Sequence, residues 1–238
     1  MLDNIKVEDI MFLDIETVPQ EAGFDNVAPE LQVLWEKKSA YFRNEEESPA
    51  DVYGRAGIYA EFGKIVCISV GVISARGGKR IFRVKSFAGD NEKVLLEDFA
   101  QMLNHFARDV HKNICGHNAR EFDFPYIARR MLINGVTLPP MLDVAGKKPW
   151  EVKFLDTMDM WKFGDYKHYT SLNLLTTIFN IPSPKDDIDG SQVASVFYDE
   201  KDVARIARYC EKDVLATAQL FLRFKGEDLI DEDAVEHA

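Results

Sequence analysis

The sequence predicts an α/β domain with a mixed sheet of about five strands flanked by helices on both faces. Three observations carry this. Short apolar runs rich in β-branched residues recur at 10–18, 64–75, 80–87, 113–117 and 152–156, which is how buried strands read. The intervening and following stretches place apolar residues at helical spacing. The order that results, βββαβαβαα, joins a hairpin meander to strand–helix crossovers, a combination found in neither all-helical nor all-β folds. A chain of 238 residues with 46% apolar content can form one large domain with a sizeable core.

The first strand carries Met11-Phe12-Leu13-Asp14-Ile15-Glu16. Strand residues two apart point to the same face, so Asp14 and Glu16 leave the same side. Two such charges repel unless a cation lies between them, and Mg²⁺ prefers hard oxygen ligands of this kind. The plainer reading is a solvated strand end with two independent acids. Residues 19–63 differ in composition, with proline, acids and the aromatics Trp35, Tyr41, Phe42, Tyr53 and Tyr59. Leu31 to Lys38 reads as helical, and Glu45 to Asp51, containing Ser48-Pro49, reads as an exposed loop. This section is expected to be an insertion on the core, acting as a partly mobile flap.

The run 64–75 is the clearest strand, Arg76-Gly77-Gly78-Lys79 is a hairpin turn, and 80–87 returns beside it. Asp90 is placed to cap a helix over 91–109, whose apolar residues Leu95, Phe99, Met102, Leu103 and Phe106 share a face. A strand over 113–117 leads to a helix from Asp123 to Asn134, ended by Gly135. The stretch 152–156 is the last short strand, and Ser171 to Phe179 is helical. After a loop with Pro182, Pro184 and Gly190, a long helix is expected from Asp199 to Phe224. Its apolar stripe is Val203, Ile206, Cys210, Val214, Thr217 and Phe221. Tyr209 and Asp213, four apart, stack together on the flank of that stripe. An ordinary amphipathic helix would account for the same spacing. Asp123 at a helix N-terminus is also favoured by the helix dipole alone.

The net charge of −11 argues against non-specific coating of nucleic acid, which relies on cations neutralising phosphates. It leaves room for an enzyme that meets nucleic acid through a local basic rim and a metal centre. The clusters Arg76 to Arg80 with Lys79, Arg129–Arg130, and Lys147–Lys148 read as solubilising surface. No apolar run approaches the ~18 residues of a membrane span. The N-terminus carries acids where a signal peptide is basic, so a cytoplasmic protein is expected. Cys67, Cys115 and Cys210 form no Cys-x-x-Cys pair and read as core thiols.

Three stretches taken together resemble the motifs of the DEDD superfamily of 3′–5′ exonucleases, which share a ribonuclease H-like fold. The likeness is to the proofreading exonuclease domain of family-B DNA polymerases and to the stand-alone exonucleases related to it. The first motif is Asp-x-Glu after an apolar strand, matched by Asp14 and Glu16. The second is an Asn, three residues, then Phe-Asp with Pro-Tyr following, matched by Asn118, Phe122, Asp123, Pro125 and Tyr126. The third is Tyr-x-x-x-Asp, matched by Tyr209 and Asp213, with Cys210 and Lys212 also similar. Arg208 stands where the other branch of the superfamily has His, so the tyrosine branch is the match. The likeness covers about residues 10–225 and leaves 226–238 as a short acidic tail with no polymerase portion after it.

The resemblance implies a metal-dependent 3′–5′ exonuclease acting on single-stranded nucleic acid, DNA favoured over RNA, and releasing nucleoside 5′-monophosphates. Asp14, Glu16, Asp123 and Asp213 would hold two divalent ions, Mg²⁺ or Mn²⁺, that stabilise charge on the attacking and leaving oxygens. Tyr209 would orient the attacking water, since a phenol of pKa ~10 is a poor base at neutral pH. Asn118 would contact the sugar or phosphate or cap the turn, and Phe122 would stack on the terminal base or pack in the core. Asp156 and Asp159 are candidates to support the acids from behind. Lys162 and Lys167 are candidates for phosphate contact, with surface solubility the plainer reading, and His117 reads as a turn residue. Two rival readings are a catalytically silent nucleic-acid-binding module of the same fold and a haloacid dehalogenase-like phosphatase. The latter needs a second Asp where this chain has Glu16.

Overall fold

Strand β1, Ile10–Pro19, is buried along most of its length because both its faces are covered. Met11, Leu13 and Ile15 pack on one side with helices α2, Glu92–Phe106, and α3, Asp123–Ile133. Ile10 and Phe12 pack on the other against α7, Val203–Lys225. The two-residue alternation of the strand therefore divides its side chains between two helical layers. The computed structural model describes residue 2 and residues 4–165, 169–182 and 188–238. Lys167 and Pro184 lie outside the described residues.

β1 pairs antiparallel with β2, Gly63–Arg76, which pairs antiparallel with β3, Lys79–Ala88. The hairpin closes through Gly77 and Gly78, at φ 60° and 80°, backbone that glycine adopts without strain. On its other side β1 pairs parallel with β4, Asn113–Gly116, and β4 pairs parallel with β5, Phe154–Asp156. The sheet runs β5-β4-β1-β2-β3-β6 and is six-stranded. The additional strand, β6, is Val235–His237, parallel to β3. It comes from the segment that the sequence presents as an acidic tail. Gly226 at φ 71° ends α7 and turns the chain back, and the Gln219 side chain clamps both backbone groups of Ile230 at 2.8 Å. Arg76 meets Glu236 at 3.0 Å and Arg80 meets Glu227 at 2.6 Å, so this basic cluster is taken up by the acids of the segment.

Several local expectations change. Asn91, not Asp90, caps α2, accepting from the Val94 N–H at 3.3 Å. The long helix starts at Val203 rather than Asp199. Lys201 is left-handed at φ 58° and separates it from the short helix α6, Val193–Ser195, and its π-helical continuation Val196–Glu200, and Asp202 then caps the new start. Helix α4, Thr157–Lys162, was not foreseen, whereas α5, Leu172–Ile178, begins at the Ser171 cap.

Residues 19–63 are packed rather than loose. Their helix α1, Pro29–Ser39, buries Trp35, whose Nε1 donates to the Pro49 carbonyl at 2.9 Å. Phe42, Tyr53, Tyr59 and Phe62 surround that ring. Tyr126 donates to the Gly57 carbonyl at 2.8 Å and Arg130 to that of Ala60 at 2.9 Å, which ties this section to α3. Arg130 is buried, not a surface cation. Its Nε and Nη2 pair with the buried Glu92 carboxylate at 2.8 and 2.5 Å, and the same carboxylate accepts the Ile65 N–H at 2.7 Å. A buried ion pair persists when its remaining donors and acceptors are satisfied in this way.

Candidate functional site

Asp14 and Glu16 continue the Ile10–Phe12 row of β1, so they face α7. In the ladder they stand opposite Ser69 and Cys67 of β2, and a register shift follows between Glu16 and Thr17. A bulge of this kind bends the strand and re-aims its side chains. Glu16 is buried and Asp14 half-buried. From α7, Cys210 donates its thiol to both the Asp14 carbonyl and Asp14 Oδ2, each at 3.4 Å. Ligand atoms of Asp14, Glu16 and Cys210 lie within 4.8 Å of one another.

Asp123 arrives from the other layer. β4 pairs with β1 only as far as Phe12, so the edge of β1 beyond that point is open. The Asp123 carboxylate takes over there and accepts the Ile15 N–H at 3.2 Å. It is not a side-chain cap of α3, whose N-cap residue is Phe122. Gly116 allows this approach, because a Cβ there would sit 2.4 Å from that of Ala119.

The loop between β4 and α3 is organised by Asp156. Its carboxylate accepts the N–H groups of Asn118, Arg120, Met158 and Asp159 at 2.9 to 3.3 Å. It thus caps α4 and pins the loop at once. Asn118 is left-handed at φ 62°, a conformation Asn tolerates better than most residues. Its Oδ1 is buried without a partner among the described residues. His117 links Thr157 Oγ1 and the Thr170 carbonyl, each at 2.9 Å, and so is more than a turn residue. Phe122 is partly buried in the core with its ring 5.4 Å from that of Tyr126. Lys162 is largely covered and pairs with Asp159 at 3.2 Å and Glu121 at 3.6 Å, which corrects its reading as a solubilising surface group. Asp159 also meets Arg120 at 3.5 Å.

On α7, Tyr209 is partly buried where Ile206 and Cys210 pack on the sheet, and Asp213 is half-buried one turn on. Burial raises the Asp14 carboxyl well above the usual range, and the charges of Asp123, Asp213 and Glu16 add to this. Glu16 is raised likewise, by burial first and then by Asp213. Asp123 is pushed up to about 7, again mainly by burial, with Asp156 and Asp213 contributing and the Ile15 N–H opposing. Four carboxylates thus share one electrostatic environment at the meeting point of β1, α3 and α7.

Two residues near these acids were missed from the sequence. Cys210 is a buried core thiol, as read, but its contact with the Asp14 carboxylate was not foreseen. The Tyr169 hydroxyl is raised by partial desolvation and by the charges of Asp123 and Asp14. No periodicity marks a lone tyrosine in a loop.

Among the described residues, no helix is long and apolar enough to cross a membrane. The chain matches, over residues 58–236, the family described as a predicted 3′–5′ exonuclease related to the exonuclease domain of PolB. Asn118, Phe122, Asp123, Tyr209 and Asp213 fall within that span, while Asp14 and Glu16 precede it. The mixed sheet between helical layers agrees with the ribonuclease H-like exonuclease fold expected from the motifs. With most of its length matched and its layers so arranged, the chain belongs to this family of predicted 3′–5′ exonucleases related to the exonuclease domain of PolB.

Proposed function

We propose that this protein hydrolyses the terminal phosphodiester of single-stranded nucleic acid stepwise from the 3′ end, DNA in preference to RNA, and releases nucleoside 5′-monophosphates. The observation that carries the reading is the convergence of acids from distant elements: Asp14 and Glu16 share one face of β1, and the Asp123 carboxylate of α3 accepts the Ile15 N–H between them at 3.2 Å. Buried acids held this close favour a multivalent cation over separate protons. The oxygen-rich donor set suits Mg²⁺ or Mn²⁺. Asp14, Glu16, Asp123 and Asp213 would hold two such ions. When bound they supply Lewis-acid stabilisation of the charge that develops on the attacking and leaving oxygens.

The chain's own residues do the rest. Tyr209, one turn before Asp213, orients the attacking water through its hydroxyl. Asn118 presents its amide to the sugar–phosphate of the terminal nucleotide, on a loop that Asp156 holds rigid. Phe122 offers the exposed part of its ring to the terminal base, a contact that tolerates any base. Substrate approach to an acidic protein depends on the bound cations to offset repulsion of phosphates.

The test is incubation of purified protein with 3′- and 5′-labelled single strands of DNA and RNA, with Mg²⁺, Mn²⁺ or chelator. Metal-dependent release of mononucleotides from the 3′ end is expected, faster on DNA. Cleavage that begins at the 5′ end, or that opens a circular strand, would refute the polarity.

A further inference from the structure

Beside the two hard carboxylates of β1 lies a ligand of different chemistry. Cys210 Sγ sits 3.4 Å from Asp14 Oδ2, and one donor atom each from Asp14, Glu16 and Cys210 lies within 4.8 Å of the other two. Cys210 has no exposed surface. Cys67, opposite Glu16 in the ladder, packs in the same core cluster as Cys210. A tetrahedral zinc site with Zn–S of about 2.3 Å and Zn–O of about 2.0–2.2 Å has a sulfur–oxygen edge of roughly 3.5 Å. The observed Asp14–Cys210 separation of 3.4 Å already matches that edge. Mg²⁺ gains little from a thiol, whereas thiolate ligands select softer ions.

We propose that Asp14, Glu16 and Cys210 form a three-ligand site for thiophilic divalent cations, Zn²⁺ or Cd²⁺, which compete with the hard ions used for hydrolysis. Coordination replaces the Sγ proton, which passes to solvent, and exchanges the thiol–carboxylate hydrogen bond for metal–sulfur and metal–oxygen bonds. The site would make the protein sensitive to free zinc. This inference rests on the metal-binding reading of Asp14 and Glu16 given above, but its test reads metal binding instead of cleavage.

The experiment titrates the reduced, metal-free, full-length protein with CdCl₂ and follows the thiolate-to-cadmium charge-transfer absorption in the ultraviolet, with calorimetry in parallel. A saturable band is expected, and excess Mn²⁺ should suppress it. Cys210→Ser should lose the band and weaken Cd²⁺ binding by more than the roughly 10–100-fold that loss of an outer partner costs, while Mn²⁺ binding, for which Cys210 is only such an outer partner of Asp14, falls by no more than that. Cys67→Ser should keep the band. No band in the wild type, a band that Mn²⁺ leaves unchanged, or a band that survives in Cys210→Ser would each overturn the proposal. The Mn²⁺ competition needs no variant and so stands even if Cys210→Ser misfolds. Uncut strands with the band retained would sink only the exonuclease reading; cut strands with no band would sink only this one.

Discussion

The Asp123 carboxylate accepts the backbone N–H of Ile15 across 108 residues of sequence, at 3.2 Å. Ile15 lies between Asp14 and Glu16, so one hydrogen bond fixes the acid of α3 beside the acids of β1. It also satisfies a strand donor left open where β4 ends, a group that would be costly to bury unpaired. The structural need of an open edge and the convergence of acids are met by the same side chain.

The first prediction concerns pH. Asp123 is raised to about 7, and Asp14 and Glu16 are raised as well. An acid with a folded pKa above its unfolded value of about 3.9 keeps its proton longer in the native state. The stability it contributes is complete below that value and is lost as pH rises through the folded pKa. The metal-free protein should therefore melt higher near pH 5 than near pH 8, by a difference on the order of a few kcal/mol in unfolding free energy. Asp123→Asn should flatten part of the profile, and saturating Mn²⁺ most of it. Melting temperatures that rise over the same interval in chelator would contradict the raised values.

Asp14→Asn tests the same repulsion by another route. The amide removes one charge and nearly keeps the shape, so the metal-free protein should be as stable as wild type or more so. The stabilisation by Mn²⁺, which follows RT ln(1 + [L]/Kd), should shrink, and cleavage should vanish. Mn²⁺ should act at lower concentration than Mg²⁺ in the wild type. Paired thermal melts with chelator and with metal decide it: a less stable apo variant with an unchanged metal shift would remove Asp14 from the centre.

Tyr209→Phe keeps the ring that packs near Ile206 and Cys210 and removes only the hydroxyl. Turnover should fall by ~10²–10⁴-fold, the range for a positioned acid–base group, with little change in KM. Steady-state kinetics on a labelled strand measure both, and undiminished turnover would dismiss the hydroxyl from the reaction.

Asp156→Ala should behave differently from the metal-binding acids. It strips the acceptor from four backbone N–H groups, those of Asn118, Arg120, Met158 and Asp159. Loss of a helix cap together with orphaned donors should cost about 2–4 kcal/mol, equally with and without metal. Urea unfolding in chelator and in Mn²⁺ provides the readout. A destabilisation seen only in Mn²⁺ would make Asp156 a participant at the metal centre.

Much of this was legible because the signals are local. The alternation of β1 assigned Asp14 and Glu16 to one face, and the four-residue spacing on α7 joined Tyr209 to Asp213. The Gly77-Gly78 hairpin and most strand limits followed from turn chemistry and β-branched runs. Helix starts were less legible. Asp90 and Asn91 are both good caps, and the choice between them depends on where the strand before them releases the chain. Lys201 in a left-handed conformation carries no composition signal, so the break before α7 was read as continuous helix.

What the sequence determined by itself was therefore most of the elements, α4 and β6 excepted, and the shared face of Asp14 with Glu16 and of Tyr209 with Asp213, because periods of two and 3.6 are properties of the chain itself. Only the tertiary structure decided which distant partners meet. The open edge of β1 recruited Asp123 and the open edge of β3 recruited Val235–His237. The buried Glu92 carboxylate drew Arg130 inward, and the packing of α7 on β1 set the Cys210 thiol against Asp14. Each of these pairings satisfies a polar group or covers an edge that exists only once the sheet has formed. The demand that selects the partner is thus created by folding, and no local pattern in the chain encodes it.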